Sequence, residues 1–229
     1  LKADVQPYSV TPKWKSVGNA DYYEVEFQGE NYSTIRGNEL TFNDLTPQTD
    51  YDFKVRAVNA SGVGEWTPLH VRTAVNPLEF ALHGLTATST AKDMEGFGIE
   101  HLFDFATTGD IWHTYYYSKA VPFDFTVDLH GTSTLDKIQY LPSSERDSHG
   151  QIYKGRIATS FDGSNWTENG TFEWNKDGGV KEYKFKGEPE AQYVKMTVEE
   201  TKGGQASGTE LYVFKTPGSK MKKPGDINN

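Results

Sequence analysis

The chain has 229 residues, no cysteine and a formal net charge of −9. This length suits one large domain or two ordinary ones, and the acidic balance argues against nucleic-acid binding, which needs a basic face. The absence of cysteine excludes disulfides, thiolate metal sites and a cysteine nucleophile, and no apolar run approaches the ~20 residues of a membrane helix.

The first part of the chain predicts a small antiparallel β-sandwich. In the run DYYEVEF, Tyr23, Val25 and Phe27 share one face, and two glutamates share the other. The run YDFKVRAV repeats this alternation, which is typical of strands with one buried and one solvated face. Turn residues separate the runs at the spacing of a sandwich.

The order of residues in this part resembles a fibronectin type III domain. Trp14 is followed by the segment LTPQTDYDFKVRAVNASGVGEW, which contains Tyr51. The resemblance implies that Tyr51 forms a tyrosine corner, in which the phenol bonds to upstream backbone while the ring packs in the core. Because no acid, base or nucleophile clusters here, we interpret residues 1–75 as a spacer domain.

The stretch GDIWHTYYYS, residues 109–118, fits neither the period of a strand nor that of a helix. It holds one tryptophan, one histidine and three tyrosines in ten positions. It is either the end of a core strand or the rim of a binding site, because aromatic rings and an imidazole are suited to gripping a sugar.

A second all-β domain is predicted over residues 76–215, a sandwich or jelly roll. Hairpin-type turns are expected at Asp162-Gly163 and Asn169-Gly170, and no helix-period stretch of twelve residues occurs. The predicted strands are FDFTVDL, DKIQYL, GRIATSF, KEYKFK, YVKMTV and ELYVF, beginning at Phe123, Asp136, Gly155, Lys181, Tyr193 and Glu210.

Six ordered pieces of this second part resemble a discoidin-like domain, the coagulation-factor type C fold. They are IWHT, FTVDLHG, IQYLP, HGQIYKGRIATSFDGSNW, QYVKMTV and ASGTELYVF. The Trp-His-Thr and Tyr-Leu-Pro pieces are most similar to carbohydrate-binding module family 32. The predicted fold class is therefore all-β, a fibronectin type III sandwich followed by a galactose-binding-like (discoidin) β-sandwich or jelly roll.

This resemblance implies a glycan site on loops at one end of the second domain. His113 is expected to bond a sugar hydroxyl and Tyr116 to form part of the rim, whereas Trp112 is expected in the core. Galactose-binding members carry an arginine, an asparagine and an aromatic where this chain has Ser143, His149 and Gln205.

These departures shift the expected ligand away from plain galactose, toward an amino sugar or another terminal host-glycan residue. Arg146 lies in the Tyr-Leu-Pro loop and is expected to supply a guanidinium. The predicted ligand-binding residues are His113, Tyr116, Arg146, His149 and Gln205.

The family also implies a structural calcium ion beneath these loops. Asp104, Asp110 and Glu210 are hard oxygen donors suited to calcium, and we expect them to bind it. The three carboxylates could instead be ordinary surface residues.

Residues 216–229 are predicted to be a polar linker that stops on GDINN. Asp226, Ile227 and Asn228 fit the first three positions of a calcium loop. This resembles the opening of a dockerin, the calcium-dependent cohesin-binding module of secreted bacterial glycan-degrading enzymes.

The predicted function is a non-catalytic carbohydrate-binding module with a spacer, secreted or on the cell surface, from a larger bacterial glycoside hydrolase. Its expected partners are glycans, the catalytic module of the parent chain and a cohesin. An enzyme in its own right is disfavoured, because no pair of glycosidase carboxylates is marked. A protein- or lipid-binding adhesion module would need apolar loop residues, of which EGFG offers only Phe97. A structural module that has lost sugar binding is the remaining alternative.

Overall fold

The computed structural model describes residues 1–117, 119–143 and 149–223 of the chain. It divides into two compact units, Leu1–Glu79 and Phe80–Asn229, called here the first and second unit. Arg146 and the dockerin-like residues 226–228 lie outside the described residues. The described residues contain no helix with the length and apolar content of a bilayer span.

The first unit is built from seven strands, all paired antiparallel. The strands are β1 (Lys2–Val5), β2 (Val10–Lys13), β3 (Tyr22–Phe27), β4 (Glu30–Ile35), β5 (Asp50–Asn59), β6 (Gly62–Val63) and β7 (Thr67–Arg72). The first two form a separate ladder, and the others form one sheet in the order β4-β3-β5-β6, with β7 also pairing with β5.

The alternation predicted for β3 and β5 is confirmed. Tyr23, Val25 and Phe27 are buried in a core that also holds Phe53, whose ring stacks on that of Phe27 at 4.5 Å. The predicted tyrosine corner is also confirmed, because the backbone N–H of Thr46 donates to the Tyr51 hydroxyl at 3.0 Å.

The opposite face of the same sheet carries charged residues. Acids and bases stand directly opposite each other in the strand register, and each such pair is close enough for an ion pair. The pairs are Glu24–Arg56 at 2.6 Å, Glu26–Lys54 at 3.0 Å, Asp52–His70 at 2.8 Å and Asp50–Arg72 at 3.0 Å.

In its described residues, the second unit has nine strands and one 3₁₀ helix, Ile99–Leu102. A seven-stranded sheet runs β12-β11-β14-β10-β13, with β8 and β16 also pairing with β10, and β9 pairs with β15 in a short ladder. The strands are β8 (Thr86–Ser89), β9 (Trp112–His113), β10 (Phe123–Leu141), β11 (Ile152–Ser160), β12 (Thr167–Glu173), β13 (Lys181–Lys184), β14 (Glu190–Thr201), β15 (Ser207–Gly208) and β16 (Glu210–Lys215).

The runs FDFTVDL and DKIQYL, predicted as two strands, are one bent strand, β10. The register shifts between Asp128 and Ser133, and His130 at the bend has a φ of 57°. The first half of β10 pairs with β8 and β14, whereas the second half pairs with β13 and β16. The bend therefore carries one strand from one layer of the sandwich to the other.

The turn predicted at Asn169-Gly170 is wrong. Both residues lie within β12, where Gly170 has a φ of 142° and the register opposite Ile157 shifts. The dipeptide is thus a β-bulge, a feature that also favours glycine with positive φ. The turn at Asp162-Gly163 is confirmed, because it lies between β11 and β12.

The two halves of β10 define two ends of the second unit. At the loop end, Leu141 pairs with Glu210, and β11 begins at Ile152. At the far end lies the bend of β10, against which the chain after β16 folds back. There Thr132 and Lys222 exchange backbone hydrogen bonds at 2.8 Å, and Met221 packs against Gly131 and the core. The predicted linker thus begins with a docked segment.

Candidate functional site

The Trp-His-Thr motif lies at the loop end and is anchored by its tryptophan. Trp112 is fully buried, and its indole N–H donates to the Asp93 carboxylate at 2.8 Å, so its predicted core position is confirmed. Successive residues of a strand point to opposite sides, and the next residue, His113, is only half-buried.

Backbone hydrogen bonds fix His113 between two neighbouring segments. Its N–H donates to Phe97 O at 3.0 Å, and its carbonyl accepts from Met94 N at 2.9 Å. On the other side, Thr114 N donates to Ala206 O at 2.8 Å. The position of the His113 ring is therefore set by the fold before any ligand arrives.

A buried tyrosine ties the same loops to the strands beneath. The Tyr140 hydroxyl donates to Ser207 O at 2.5 Å and accepts from Ile152 N at 3.3 Å. Burial raises the pKa of Tyr140, so the phenol stays protonated and keeps its donor role. Ser207 pairs with His113 in the β9–β15 ladder, which links this bond to the site.

Three of the predicted ligand-binding residues come together here. The ring centroids of His113 and Tyr116 lie 6.0 Å apart, those of His113 and His149 6.2 Å, and those of Tyr116 and His149 5.4 Å. The two imidazoles are nearly parallel, with an interplanar angle of 10°. His149 is distant from His113 and Tyr116 along the chain, but the fold places all three side chains at the loop end.

The hydrogen bonds of the two imidazoles indicate their tautomers. His113 Nδ1 lies 2.5 Å from Thr114 O, and a carbonyl can only accept, so Nδ1 carries the proton. In the neutral ring, His113 Nε2 is then an acceptor. His149 Nε2 lies 2.7 Å from Gln205 Oε1 and is the donor of that bond, which makes Nδ1 the acceptor.

Gln205 connects Tyr116 and His149, which lie on two sides of the site. Its amide nitrogen donates to Tyr116 O at 3.1 Å, while its amide oxygen accepts from His149. Close to it, Gly203 has a φ of 87°, and a Cβ there would lie 2.2 Å from His149 Cε1. Gln205, predicted as a ligand-binding residue, thus lies between two such residues and bonds to both.

The rings line a narrow pocket. Ser143, which stands where the family has an arginine, is 1% exposed and lines it. Arg146 lies outside the described residues, so its role stays a prediction. Sequence reasoning found no signal for most of the apolar wall, apart from the loop residue Phe97, which is half-buried. The lining residues are Met94, Phe97, Ile111, His113, Tyr116, Ser143 and His149.

Two of the three predicted calcium ligands lie together near these loops. Glu210 is fully buried, and neither of its carboxylate oxygens has a hydrogen-bond partner. Burial, and then the nearby carboxylate of Asp104, raises the pKa of Glu210 to about 8. Burial also acts to raise the pKa of Asp104, but the hydrogen bond from the Ala106 N–H and the neighbouring His101 imidazole lower it below its usual value.

Asp110 does not join them. It is exposed, and among the described residues no group of three or more His, Asp or Glu side chains is arranged to hold a metal ion. Glu210 nevertheless fits a cation, because a buried carboxylate without donors is costly unless a positive charge satisfies it. A calcium ion takes 6–8 oxygen ligands, so Asp104 and Glu210 would need backbone or water oxygens to complete the site.

The chain matches two protein families. Residues 1–72 match the fibronectin type III domain, and residues 84–211 match the F5/8 type C domain. Both predicted resemblances are confirmed over these ranges, together with the all-β fold class.

Solved structures similar to the chain include carbohydrate-binding modules from Clostridium perfringens. CpGH89CBM32-5, solved in complex with GalNAc-β-1,3-galactose, is 32% identical, with a TM-score of 0.54 over 58% of this chain and 99% of that one. CBM32-3 from a family 31 glycoside hydrolase is 27% identical, with a TM-score of 0.53 over 60% and 96%. The family 32 module of NanJ, in complex with galactose, has a TM-score of 0.55 over 59% and 98%, and at 24% identity it supports the fold alone.

Among curated proteins, galactose oxidase from Gibberella zeae is 28% identical over 120 residues. The match takes in 50% of this chain but only 18% of that enzyme, so the chain spans less than a fifth of the length of this relative. With the discoidin-like sandwich, its loop-end pocket and a match over residues 84–211, the chain belongs to the F5/8 type C domain family.

Proposed function

We propose that the second unit is a non-catalytic carbohydrate-binding module, which holds a terminal galactose-type or amino sugar in the loop-end pocket. The observation that carries this proposal is the convergence of His113, Tyr116 and His149 around that pocket. The 32%-identical CpGH89CBM32-5, solved with a GalNAc-containing disaccharide, supports it.

The pocket offers the two kinds of contact that a sugar needs. Imidazole and phenol groups bond hydroxyls directionally, and ring faces pack on the C–H faces of the sugar. In the neutral ring, His113 Nε2 can accept a hydrogen bond from a sugar hydroxyl, and Tyr116 adds the edge of its ring and its phenol hydroxyl. Gln205 acts indirectly, because it holds Tyr116 and His149 at their separation.

An amino sugar fits this pocket better than plain galactose. Met94, Phe97 and Ile111 form an apolar wall beside the polar rings. The methyl of an N-acetyl group gains free energy on such a surface, about 25 cal/mol per Å² of apolar area buried. The aromatic that galactose-binding members carry in the last loop is Gln205 here, so less ring surface remains for galactose alone.

We also propose a structural calcium ion held by Glu210 and Asp104, with Asp110 as a weaker candidate because only Asp104 of the two aspartates lies beside Glu210 among the described residues. A bound cation would supply the positive charge that the buried Glu210 carboxylate lacks. Glu210 opens β16, directly after the Ser207–Gly208 ladder that pairs with His113. The two acids would thereby brace the loops under the pocket.

The larger context is proposed in the same way. The first unit would act as a spacer, and the parent protein would be a secreted or cell-surface bacterial glycoside hydrolase. Its catalytic module, and a cohesin bound through the dockerin-like residues 226–228, would be the partners. The support is that a similar module, CBM32-3, comes from a family 31 glycoside hydrolase.

The test is calorimetric titration of galactose, N-acetylgalactosamine and N-acetylglucosamine into the wild type and His113→Ala. We expect dissociation constants near the millimolar range, about −4 kcal/mol, with N-acetylgalactosamine ahead of galactose and all binding lost in His113→Ala. Phe161→Ala is the matched control, because it removes an exposed ring at the opposite end of β11.

Tight galactose binding that His113→Ala leaves intact would refute both the site and the selectivity. No binding to any sugar on a glycan array would favour a protein- or lipid-binding adhesion module or a structural one. Turnover of aryl glycosides that survives repurification would refute the non-catalytic assignment.

A further inference from the structure

The pocket is flanked by a surface that a single bound sugar would not use. Tyr115, Tyr116 and Tyr117 are 37%, 41% and 83% exposed. Only Tyr116 lines the pocket. Two large aromatic rings therefore stand in solvent directly beside it.

We propose that Tyr115, Tyr117 and Lys92 form a second subsite, which takes a negatively charged sugar joined to the sugar in the pocket. The inference rests on the proposed function, and it adds the length and the charge of the ligand. The three residues are called the tyrosine ledge below.

The ledge is continuous with the pocket through Tyr116. The Tyr116 ring packs against His149 at 5.4 Å on the pocket side and against Tyr117 at 5.7 Å on the outer side. Tyr115 and Tyr117 meet at 5.7 Å with an interplanar angle of 64°. A sugar that continues from the pocket past Tyr116 therefore reaches Tyr117 next.

Hydrogen bonds fix the backbone of Tyr115 in the ledge and of Tyr116 beside it. Tyr115 N donates to Lys92 O at 2.7 Å, and Tyr116 O accepts from the Gln205 amide at 3.1 Å. The hydroxyls of the three tyrosines have no protein hydrogen-bond partner within the described ranges. A surface whose backbone is fixed in advance loses little entropy on binding.

The charge of the ledge comes from Lys92. Its ammonium lies 4.7 Å from the centroid of the Tyr115 ring, and no carboxylate of the described residues lies within ion-pair distance of it. The neighbouring Asp93 points inward, where it accepts from Trp112 Nε1 and Ile99 N. On a chain with a net charge of −9, this exposed cation beside the pocket favours an anionic ligand.

Two common sources of negative charge on a sugar are a carboxylate and a sulfate ester, and both would pair with Lys92. The probes are therefore the neutral GalNAc-β-1,3-galactose, the carboxylate GalNAc-β-1,4-glucuronic acid and N-acetyllactosamine sulfated on O6 of its GlcNAc. N-acetylgalactosamine alone serves as the reference for the pocket. All four are titrated into the intact chain at low and high salt.

We expect each charged disaccharide that fits to bind about ten-fold more tightly than N-acetylgalactosamine. Tyr117→Ala should weaken the disaccharides about five-fold and leave the single sugar unchanged. Lys92→Gln should remove the advantage of charged over neutral disaccharides, a factor of about two to five that shrinks in high salt. Tyr32→Ala and Lys186→Gln, at exposed positions outside the site, are the matched controls.

If the disaccharides bind no better than N-acetylgalactosamine and Tyr117→Ala does not change their affinity, the tyrosine ledge is refuted. The proposed sugar site in the pocket would be unaffected by that result. Equal affinity for charged and neutral disaccharides in the wild type would overturn the role of Lys92. A preference for only one of the two anions would identify the natural group. If N-acetylgalactosamine itself fails to bind, the proposed function fails first, and a protein that binds through Tyr117 would replace the glycan.

Discussion

The outer face of β3, β5 and β7 in the first unit carries acids and bases that stand directly opposite each other, whereas the loop end of the second unit holds polar groups that the fold leaves partly unmatched. Glu24 lies against Arg56 and Glu26 against Lys54. At the loop end, the Glu210 carboxylate is buried without a hydrogen bond, and the Tyr117 phenol has no protein partner in the described part of the chain.

On the charged face, the protein itself pairs the polar groups. At the loop end, some polar and aromatic groups lack a partner in the part of the protein that the structure describes, as expected for a surface that binds a ligand. An exposed ion pair across a sheet, such as Glu26–Lys54, contributes about 0–1 kcal/mol, and in both pairs the acid and the base neutralise each other. A buried carboxylate or a row of exposed rings is unfavourable unless something else uses it. We therefore expect small effects from substitutions on the charged face of the first unit and larger effects from changes at the loop end of the second unit.

The largest effect that would sharpen this comparison is calcium binding. Adding calcium to the chelated chain should raise the melting transition of the second unit alone, since a ligand at one hundred times its dissociation constant adds about 2.7 kcal/mol. Differential scanning calorimetry measures it. Glu210→Gln should abolish the response, and Asp110→Asn should keep it. An equal response in Glu210→Gln, or none in the wild type, would contradict the assignment.

A methyl group at Gly203 should damage the site without removing any ring. In Gly203→Ala the new Cβ would lie 2.2 Å from His149 Cε1, so the ring must move. We expect affinity for N-acetylgalactosamine to fall about ten-fold, ~1.4 kcal/mol. Gly187→Ala is the control, because its φ of 73° imposes similar strain with no neighbour within 4 Å. Equal losses in both variants would mean that backbone strain, not His149, is responsible.

A smaller effect should be confined to the first unit. Tyr51→Phe removes the hydroxyl that accepts from Thr46 N, and we expect about 1 kcal/mol less free energy of unfolding. Sugar affinity should not change. Tyr22→Phe, whose hydroxyl bonds no described residue, should be neutral in the same denaturant titration. A loss in Tyr22→Phe equal to that in Tyr51→Phe would argue against the tyrosine corner as the cause.

The smallest effect concerns the charged face. Hydrogen bonding and charge from Asp52, and then the charge of Asp50, raise the pKa of His70 above 6.5. A raised pKa stabilises the fold below the unfolded value, and this contribution is lost as pH rises through the folded value. NMR titration should show Asp52→Asn lowering the His70 pKa more than Asp50→Asn does. The reverse order would show that Asp50 dominates.

The features that local sequence predicted are those set by local contacts. Tyr51 bonds Thr46, only a few residues upstream, and Trp112 is buried inside its own motif. The alternation within β3 and β5 likewise needs no knowledge of the rest of the chain. Such features follow from period and turn chemistry.

The features that escaped prediction depend on distant partners. Gln205 bonds His149, which is 56 residues away, so local sequence could not predict that it links His149 to Tyr116. Gly170 was expected to turn the chain, but its conformation is set by β11, which pairs with it. Asp110 stands near Asp104 in sequence, yet among the described residues it is the distant Glu210 that lies beside Asp104.

The docking of Met221 and Lys222 at the far end has a practical consequence for attachment. The second half of β10, from Leu135 to Leu141, makes six residue steps of ~3.3 Å, so the two ends lie about 20 Å apart. Lys222 is fixed to Thr132 at the far end, and the pocket opens at the loop end. A label, bead or sensor surface joined just after Lys223 would therefore be attached next to a segment that is hydrogen-bonded to the sheet. The pocket, at the other end, would still face the solution.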